Sequence, residues 1–450
     1  MKYIIQLLTF IILTAALPSC KKFLEVKPQD SIPDDLTIVD KASAQTALRG
    51  VYRALSADAY YGSSFPSIGY LQGDNIQWTG SQSIVQQFID HKVKADNATV
   101  ASVWSAIYAT INRANYIIAK VPPLVDATLT DADRAQLTGE AYFIRALCYF
   151  DLARAWGGVQ NVLTPTLSAS DKTGISRSSL AATWAQVLAD LTKAESLLIL
   201  PTAQNPVRAN KETSWALLAR YYLYQKNWVQ AESYASKVLA NTGNYQLLKP
   251  YGSFFNPASA VATRESVFEL SYSSTYTNSH RGQWQPPANG GTRQIAPNDA
   301  LVAQLNNPLI GGNRNALIAK TSAGLWYGNL YYRSPATDPA YIIRIAELYL
   351  LRAEARANQD NISNALTDLN AVRDRAGLAG SAAATKDELL LAIENERKVE
   401  FAFEPHRWFD LVRTGRAAAV LGITDAGKYV LPVPAAELLT DKSLEQNPGY

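Results

Sequence analysis

Apolar residues recur every three or four positions through most of the chain beyond residue 42, and glycine or proline interrupts them at intervals of about one helix length. That period predicts helices rather than strands. Residues 43–57 align Ala47, Val51, Ala54 and Leu55 on one face, and residues 99–121 align Val103, Ile107, Ile111, Ala114 and Ile118. Residues 130–156 open on Asp131 and Asp133, acids suited to the positive end of a helix, and stop at Gly157-Gly158. Residues 178–200 halt at Pro201. Two pairs follow, 211–225 with 229–241, and 341–357 with 363–376. Thr385-Lys386-Asp387-Glu388 is a capping box that opens a last long helix, reaching about Glu404.

Three of these helices share a local pattern: Ala141-x-x-x-Arg145, Ala216-x-x-x-Arg220 and Leu348-x-x-x-Arg352. The pair 211–241 puts Ala219, Ala231 and Ala235 where helices approach closely, with Trp215, Tyr222, Tyr234 and Leu239 between them. It resembles the tetratricopeptide helix-turn-helix unit. The expected fold is all-α dominated, built of such pairs, each burying its neighbour's apolar face. At 48% hydrophobic and 18% charged, the composition excludes disorder, collagen and a polytopic membrane protein. A net charge of +3 is far from that of a polybasic nucleic-acid binder. With 3 His and 2 Cys, neither a Cys/His metal site nor a disulfide scaffold is expected, and no cofactor.

The start of the chain reads as an export signal. Lys2 precedes an apolar stretch, Tyr3 to Leu17, too short to favour a membrane span. Leu17-Pro18-Ser19-Cys20 resembles the bacterial lipobox, which implies acylation of Cys20 as the first mature residue. The expected division is a signal peptide at 1–19, a lipidated tether at 20–40 and one domain at 41–450. Cys148, inside a helical run, then has no intrachain partner and acts as a small apolar residue.

Two stretches break the helical period. Residues 58–98 carry Gly62, Gly69, Gly73 and Gly80 with Tyr60, Tyr61, Phe65, Tyr70 and Trp78. Residues 250–338 are rich in proline and glycine yet hold Tyr272, Tyr276, Trp284, Trp326, Tyr327, Tyr331 and Tyr332. Long aromatic loops in a compact chain are the expected ligand face.

Near the C-terminus, Glu396, Arg397, Glu400, Arg407, Asp410 and Arg413 alternate with Val399, Phe401, Phe403, Trp408, Phe409 and Leu411. Charges in so apolar a run need partners. A catalytic glutamate pair is one reading. A structural network of ion pairs is the other, and it is preferred because no second catalytic signature accompanies the first. His91, His280 and His406 lie in unrelated contexts and are expected on the surface or in packing.

Glu396-Arg397-Lys398-Val399-Glu400-Phe401-x-Phe403-Glu404-x-x-Arg407-Trp408-x-Asp410-Leu411-x-Arg413 resembles the hallmark segment of the SusD/RagB family. So do Arg344-x-Ala346-Glu347 with Arg352 and Glu354, the run Leu369-Asn370-x-Val372-Arg373-x-Arg375-Ala376-Gly377, the ending Leu431-Pro432-x-Pro434…Asn447-Pro448-Gly449-Tyr450, and the start Cys20-Lys21-Lys22-Phe23-Leu24. The resemblance spans the mature chain. It implies a lipid-anchored outer-membrane protein of Bacteroidota, displayed on the cell surface. Such a protein captures glycan, or in some branches peptide, for a SusC-like TonB-dependent transporter, and is not an enzyme. A tetratricopeptide-type protein-interaction scaffold is the alternative. Neither reading involves nucleic acid.

A protein holds a sugar by stacking rings on its C–H faces and placing polar groups at its hydroxyl edges. Two segments have that mixture: Asp74, Asn75 and Trp78; and Trp284 followed by Trp326, Tyr327 and Tyr331. At least one of Trp78, Trp284 and Trp326 is expected to touch ligand. The helical Trp104, Trp184 and Trp215 are expected in the core.

Overall fold

The computed structural model describes residues 37–168, 171, 173–256 and 261–450. The signal peptide, Cys20 and most of the tether lie outside them.

Nine helices of three turns or more dominate the described residues: α1 (Lys41–Leu55), α2 (Ala98–Lys120), α3 (Asp131–Trp156), α4 (Leu180–Leu197), α5 (Lys211–Tyr224), α6 (Trp228–Leu239), α7 (Ile345–Asn358), α8 (Ile362–Arg375) and α9 (Lys386–Glu400). Their starts follow from local chemistry. Asp40, Thr130, Asn210 and Thr385 each accept the backbone N–H three residues on, and the residue there returns a bond to the cap, closing a capping box. Successive helices pack as pairs, α1 on α2, α3 on α4, α5 on α6 and α7 on α8, while α9 lies against α7 and α8. The expected architecture of stacked pairs is the observed one.

Helix α3 is the axis of the core. From Leu137 to Trp156 it is buried on almost every side, so its polar residues must be matched internally. Arg145 makes a two-point contact with Asp190 on α4, at 2.8 and 2.7 Å. The shared helical pattern now has a physical meaning. Arg352 on α7 grips Asp368 on α8 in the same two-point fashion, at 2.8 and 2.7 Å. Arg220 on α5 reaches forward instead to Glu347 on α7, at 2.6 and 2.5 Å. Each arginine bolts one helix to another, within a pair or across to the next. The buried thiol of Cys148 sits on the same axis.

Among the described residues, six short strands form three antiparallel ribbons: β1 (Ile76–Trp78) with β3 (Ile295–Pro297), β2 (Ser266–Leu270) with β6 (Ala340–Arg344), and β4 (Ile318–Lys320) with β5 (Trp326–Gly328). Three expectations need correction. Tyr341–Arg344 is strand rather than the first turn of a helix, because this apolar run pairs with the equally buried β2. The stretch 58–98 contains two short helices, Ser64–Leu71 and Ser83–Ile89. The last long helix ends at Glu400, four residues early, and Glu404 lies in a turn.

That turn fixes the C-terminal motif to the segment 58–98. Gly69 packs against Pro405 so closely that a Cβ there would stand 2.7 Å from the proline Cα. Beneath it lies an ion-pair network closed to solvent. Glu400 accepts from Arg314 Nε at 2.8 Å, from Arg344 Nη1 at 2.9 Å and from Arg375. Arg344 also holds Glu265 and Glu404, and Arg314 also holds Glu396. A second group joins Arg397 to Asp410, and Asp410 and Glu354 to Arg413. The charged segment is therefore a structural lock, and its glutamates are fully engaged with arginine.

Candidate functional site

The two loop segments singled out by their rings meet in space. Trp78, at the end of β1, pairs with Ile295 of β3. Thr79 extends the contact, its N–H donating to Gln294 O at 2.8 Å and its hydroxyl to Arg293 O at 2.5 Å. Arg293 in turn donates from Nε to Trp326 O at 2.8 Å, and β3 lies against β5. One segment, Arg293 to Ile295, thus binds the Trp78 strand on one side and the Trp326 strand on the other. Trp78, Trp326 and Tyr327 are all half-exposed. The Trp78 ring folds down over Gly80, where any Cβ would stand 2.2 Å from it. Lys320, paired across the ribbon with Trp326, holds its ammonium 5.0 Å from the Trp326 ring centre. The result is a ledge of two half-exposed tryptophans, Trp78 and Trp326, on strands either side of Arg293 to Ile295, with the Lys320 ammonium beside Trp326; Tyr327, next along β5, points to the opposite face of its ribbon.

Four other residues expected at the site do different work. Trp284 is 1% exposed, wedged between Tyr70 and Phe403 at 5.3 and 4.9 Å between ring centres. Tyr331 is 3% exposed and stacks on His280 at 4.2 Å. These rings plug the core under the loops and have no face to offer. Asn75 is wholly buried and donates to Lys398 O at 3.0 Å. Asp74 accepts from Arg407 Nε at 2.6 Å and from Lys398 Nζ at 2.8 Å. Burial pushes its carboxyl upward, but those two cations outweigh burial and hold it down at about 2. Asp74 and Asn75 moor the base of β1 to the C-terminal motif.

Desolvation favours the neutral form of all three histidines. Burial pushes His280 down to about 4 and His406 down to about 3, and desolvation also lowers His91. Among the described residues, no group of three His, Cys, Asp or Glu side chains could hold a metal ion, and no helix is long and apolar enough to cross a membrane. The helical tryptophans divide. Trp104 is core, whereas Trp184 and Trp215 are only half-buried.

Two hollows went unnoticed in the sequence. One of about 510 Å³ is lined by Ser253, Asn256, Asn313 and Asn315 on the same long loop region as Trp326. The signal for it was the Gly311-Gly312-Asn313-Arg314-Asn315 run, in which the buried Arg314 turns both asparagines outward. The other, about 440 Å³, lies between Trp228, Leu390 and Leu391, above Glu354, Asp410 and Arg413.

Residues 303–428 match the model of the SusD family, and residues 22–223 match a second model described as starch-binding associating with outer membrane. The chain belongs to the SusD family. Among its SusD-like relatives is SusD-like protein P2 of Formosa agariphila, 26% identical over 98% of this chain and 99% of that protein. A SusD-like protein of Bacteroides ovatus is 23% identical over 72% of this chain and 67% of its own. The same SusD fold appears in a solved laminarin-binding SusD-like protein, with a TM-score of 0.80 at 24% identity, covering 92% of this chain and 100% of that one. It appears also in a SusD superfamily protein from Bacteroides thetaiotaomicron, with a TM-score of 0.78 at 23% identity, covering 91% and 100%.

Proposed function

We propose that this chain is a glycan-capturing lipoprotein of the outer membrane, anchored through Cys20 and displayed at the cell surface, which passes oligosaccharide or polysaccharide to a SusC-like TonB-dependent transporter. It binds without cleaving. The observation that carries the reading is the ledge of Trp78 and Trp326, brought from two distant loops to either side of the segment Arg293 to Ile295. Flat rings with polar edges suit the C–H faces and hydroxyl rims of a sugar chain. The asparagine-lined hollow adds neutral donors and acceptors of the kind hydroxyls need. The names of the laminarin-binding neighbour and the starch-binding family model supply the first polymers to try.

Affinity electrophoresis of the purified chain through gels containing laminarin, starch and other neutral polysaccharides tests the binding. At least one polymer retards the protein, and Trp78→Ala or Trp326→Ala releases it. If no polymer retards the wild type, the reading fails. A reducing-sugar assay with the retained polymer shows no release of ends if the chain only binds. Palmitate labelling that disappears in Cys20→Ala tests the anchor, and co-purification of a TonB-dependent transporter from the native membrane tests the partner.

A further inference from the structure

Arginines in this chain nearly always hold a carboxylate or a carbonyl; Arg49 and Arg53, one turn apart on α1, do neither. Arg49 reaches only the Thr46 hydroxyl, at 2.7 Å, and the Arg53 guanidinium lies over the Tyr276 ring. A third guanidinium, that of Arg113, reaches the same helix and donates to Gly50 O at 3.2 Å. Among the described residues none of the three has an ion-pair partner. The nearby buried acid, Glu140, is already engaged by Arg208 and by the Tyr52 hydroxyl, and Asp58, exposed beyond the helix end, pairs with neither arginine. Both arginines are exposed, and like charges one helical turn apart repel weakly rather than attract, which leaves the pair open to an added anion.

The cluster borders a hollow of about 200 Å³, where Arg49 and Arg53 face Ser56, Ser271 and Tyr276. Tyr276 is itself pinned, its hydroxyl donating to Ser56 O at 2.7 Å. A guanidinium lying over a fixed ring has its N–H edge available to grip a carboxylate or sulfate at two points. The hollow has room for one sugar unit, not a chain. We infer that it takes the anionic substituent of an acidic sugar, a uronate carboxylate or a sulfate ester, separately from the ledge at Trp78. The sugar part of this inference rests on the glycan-binding reading; the anion part does not.

The test uses the full-length chain in detergent, run through gels containing polygalacturonate, carrageenan or a neutral galactan, with phosphatidylglycerol vesicles as a separate arm. The carboxylated or the sulfated polymer retards the wild type, and which of the two does so identifies the anion. The double variant Arg49→Gln/Arg53→Gln loses about tenfold in retention, as expected for a lost two-point contact. Its melting temperature and any retention by neutral glycan stay unchanged. Arg49→Lys/Arg53→Lys keeps the charge but not the fork, and retention stays low. The inference is overturned if neither anionic polymer is held, if the Gln variant binds like wild type, if the Lys variant binds fully, or if the Gln variant differs only on vesicles. Loss of retention in Trp78→Ala with neutral polymers reads the ledge independently, so the two proposals fail separately.

Discussion

Arg407 and Asp74 stand 333 residues apart in the chain and 2.6 Å apart in the fold. Arg407 is nearly buried, Asp74 is partly open, and Lys398 completes the pair. This contact ties the family's C-terminal segment to the loop that presents Trp78. Replacing Asp74 by Asn leaves Arg407 short of its counter-charge and loosens the root of β1. The expected cost is about 1–3 kcal/mol in denaturant melts, accompanied by weaker glycan retention as β1 loosens. A double-mutant cycle with Arg407→Leu measures the coupling; additive effects would deny it. Because the Asp74 carboxyl is held down at about 2, its contribution is full above pH 4 or so and fades as pH falls toward that value.

The tryptophans separate by what covers them. Trp284→Ala empties a site bounded by Tyr70 and Phe403 and removes the ring that Gly328 packs against. It is expected to cost about 3–5 kcal/mol. Trp78→Ala and Trp326→Ala, at half-exposed positions, leave the melting curve close to wild type and reduce glycan retention by roughly tenfold. Thermal melts beside affinity gels decide the matter, and a Trp326→Ala protein that binds normally would remove that residue from the ledge.

The difference between Trp284 and Trp326 could not be read from their surroundings in sequence. Each stands two residues after a glycine, Gly282 or Gly324, in an irregular stretch, and only Tyr70 and Phe403, brought from elsewhere, make one a plug. Asp74 misled for the same reason. A polar residue beside a loop tryptophan looks like a sugar ligand until the partner 333 positions away is seen. Long helices were legible because period and caps are local properties. The β6 run Tyr341-Ile342-Ile343-Arg344 was not, because its apolar residues continue without a break into α7 and its strand partner is Ser266–Leu270. The Arg145, Arg220 and Arg352 repeat was visible as a pattern, but its purpose needed Asp190, Glu347 and Asp368.

Glu269 gives the protein an unusual pH response. It is wholly buried on β2, accepts the Ala262 N–H at 2.6 Å and the Ser266 hydroxyl, and has no cation partner among the described residues. Burial pushes its carboxyl up to about 7. A raised acid binds its proton more tightly in the folded state, so its contribution is complete below about pH 4.5 and is lost as pH rises through 7. Lowering the pH from 7.5 to 5 should therefore stabilise the wild type by roughly 2–3 kcal/mol from this group. Glu269→Gln should flatten the curve of stability against pH over that window. An unchanged curve would mean that the carboxylate finds a charge partner.

Glu400 has the opposite sign. Burial alone would raise its carboxyl, but Arg375, Arg314 and Arg344 outweigh burial and hold it down at about 2. Its contribution is present above the ordinary glutamate range near pH 4.5 and disappears as pH falls toward 2, so acid unfolding of this domain should centre in that interval. Glu400→Gln removes the one carboxylate shared by three buried guanidiniums, leaving Arg314 to Glu396, Arg375 to Glu265, and Arg344 to Glu265 and Glu404, and the expected loss is about 3–5 kcal/mol. Since the network lies beneath the turn that Gly69 and Pro405 clamp, and not on the ledge, the variant should still bind glycan at temperatures where it remains folded. Melts and affinity gels run at two temperatures separate these outcomes: retention lost while the circular dichroism is native would place Glu400 in ligand recognition, whereas retention that tracks the folded fraction leaves it as the bolt holding the C-terminal motif in place.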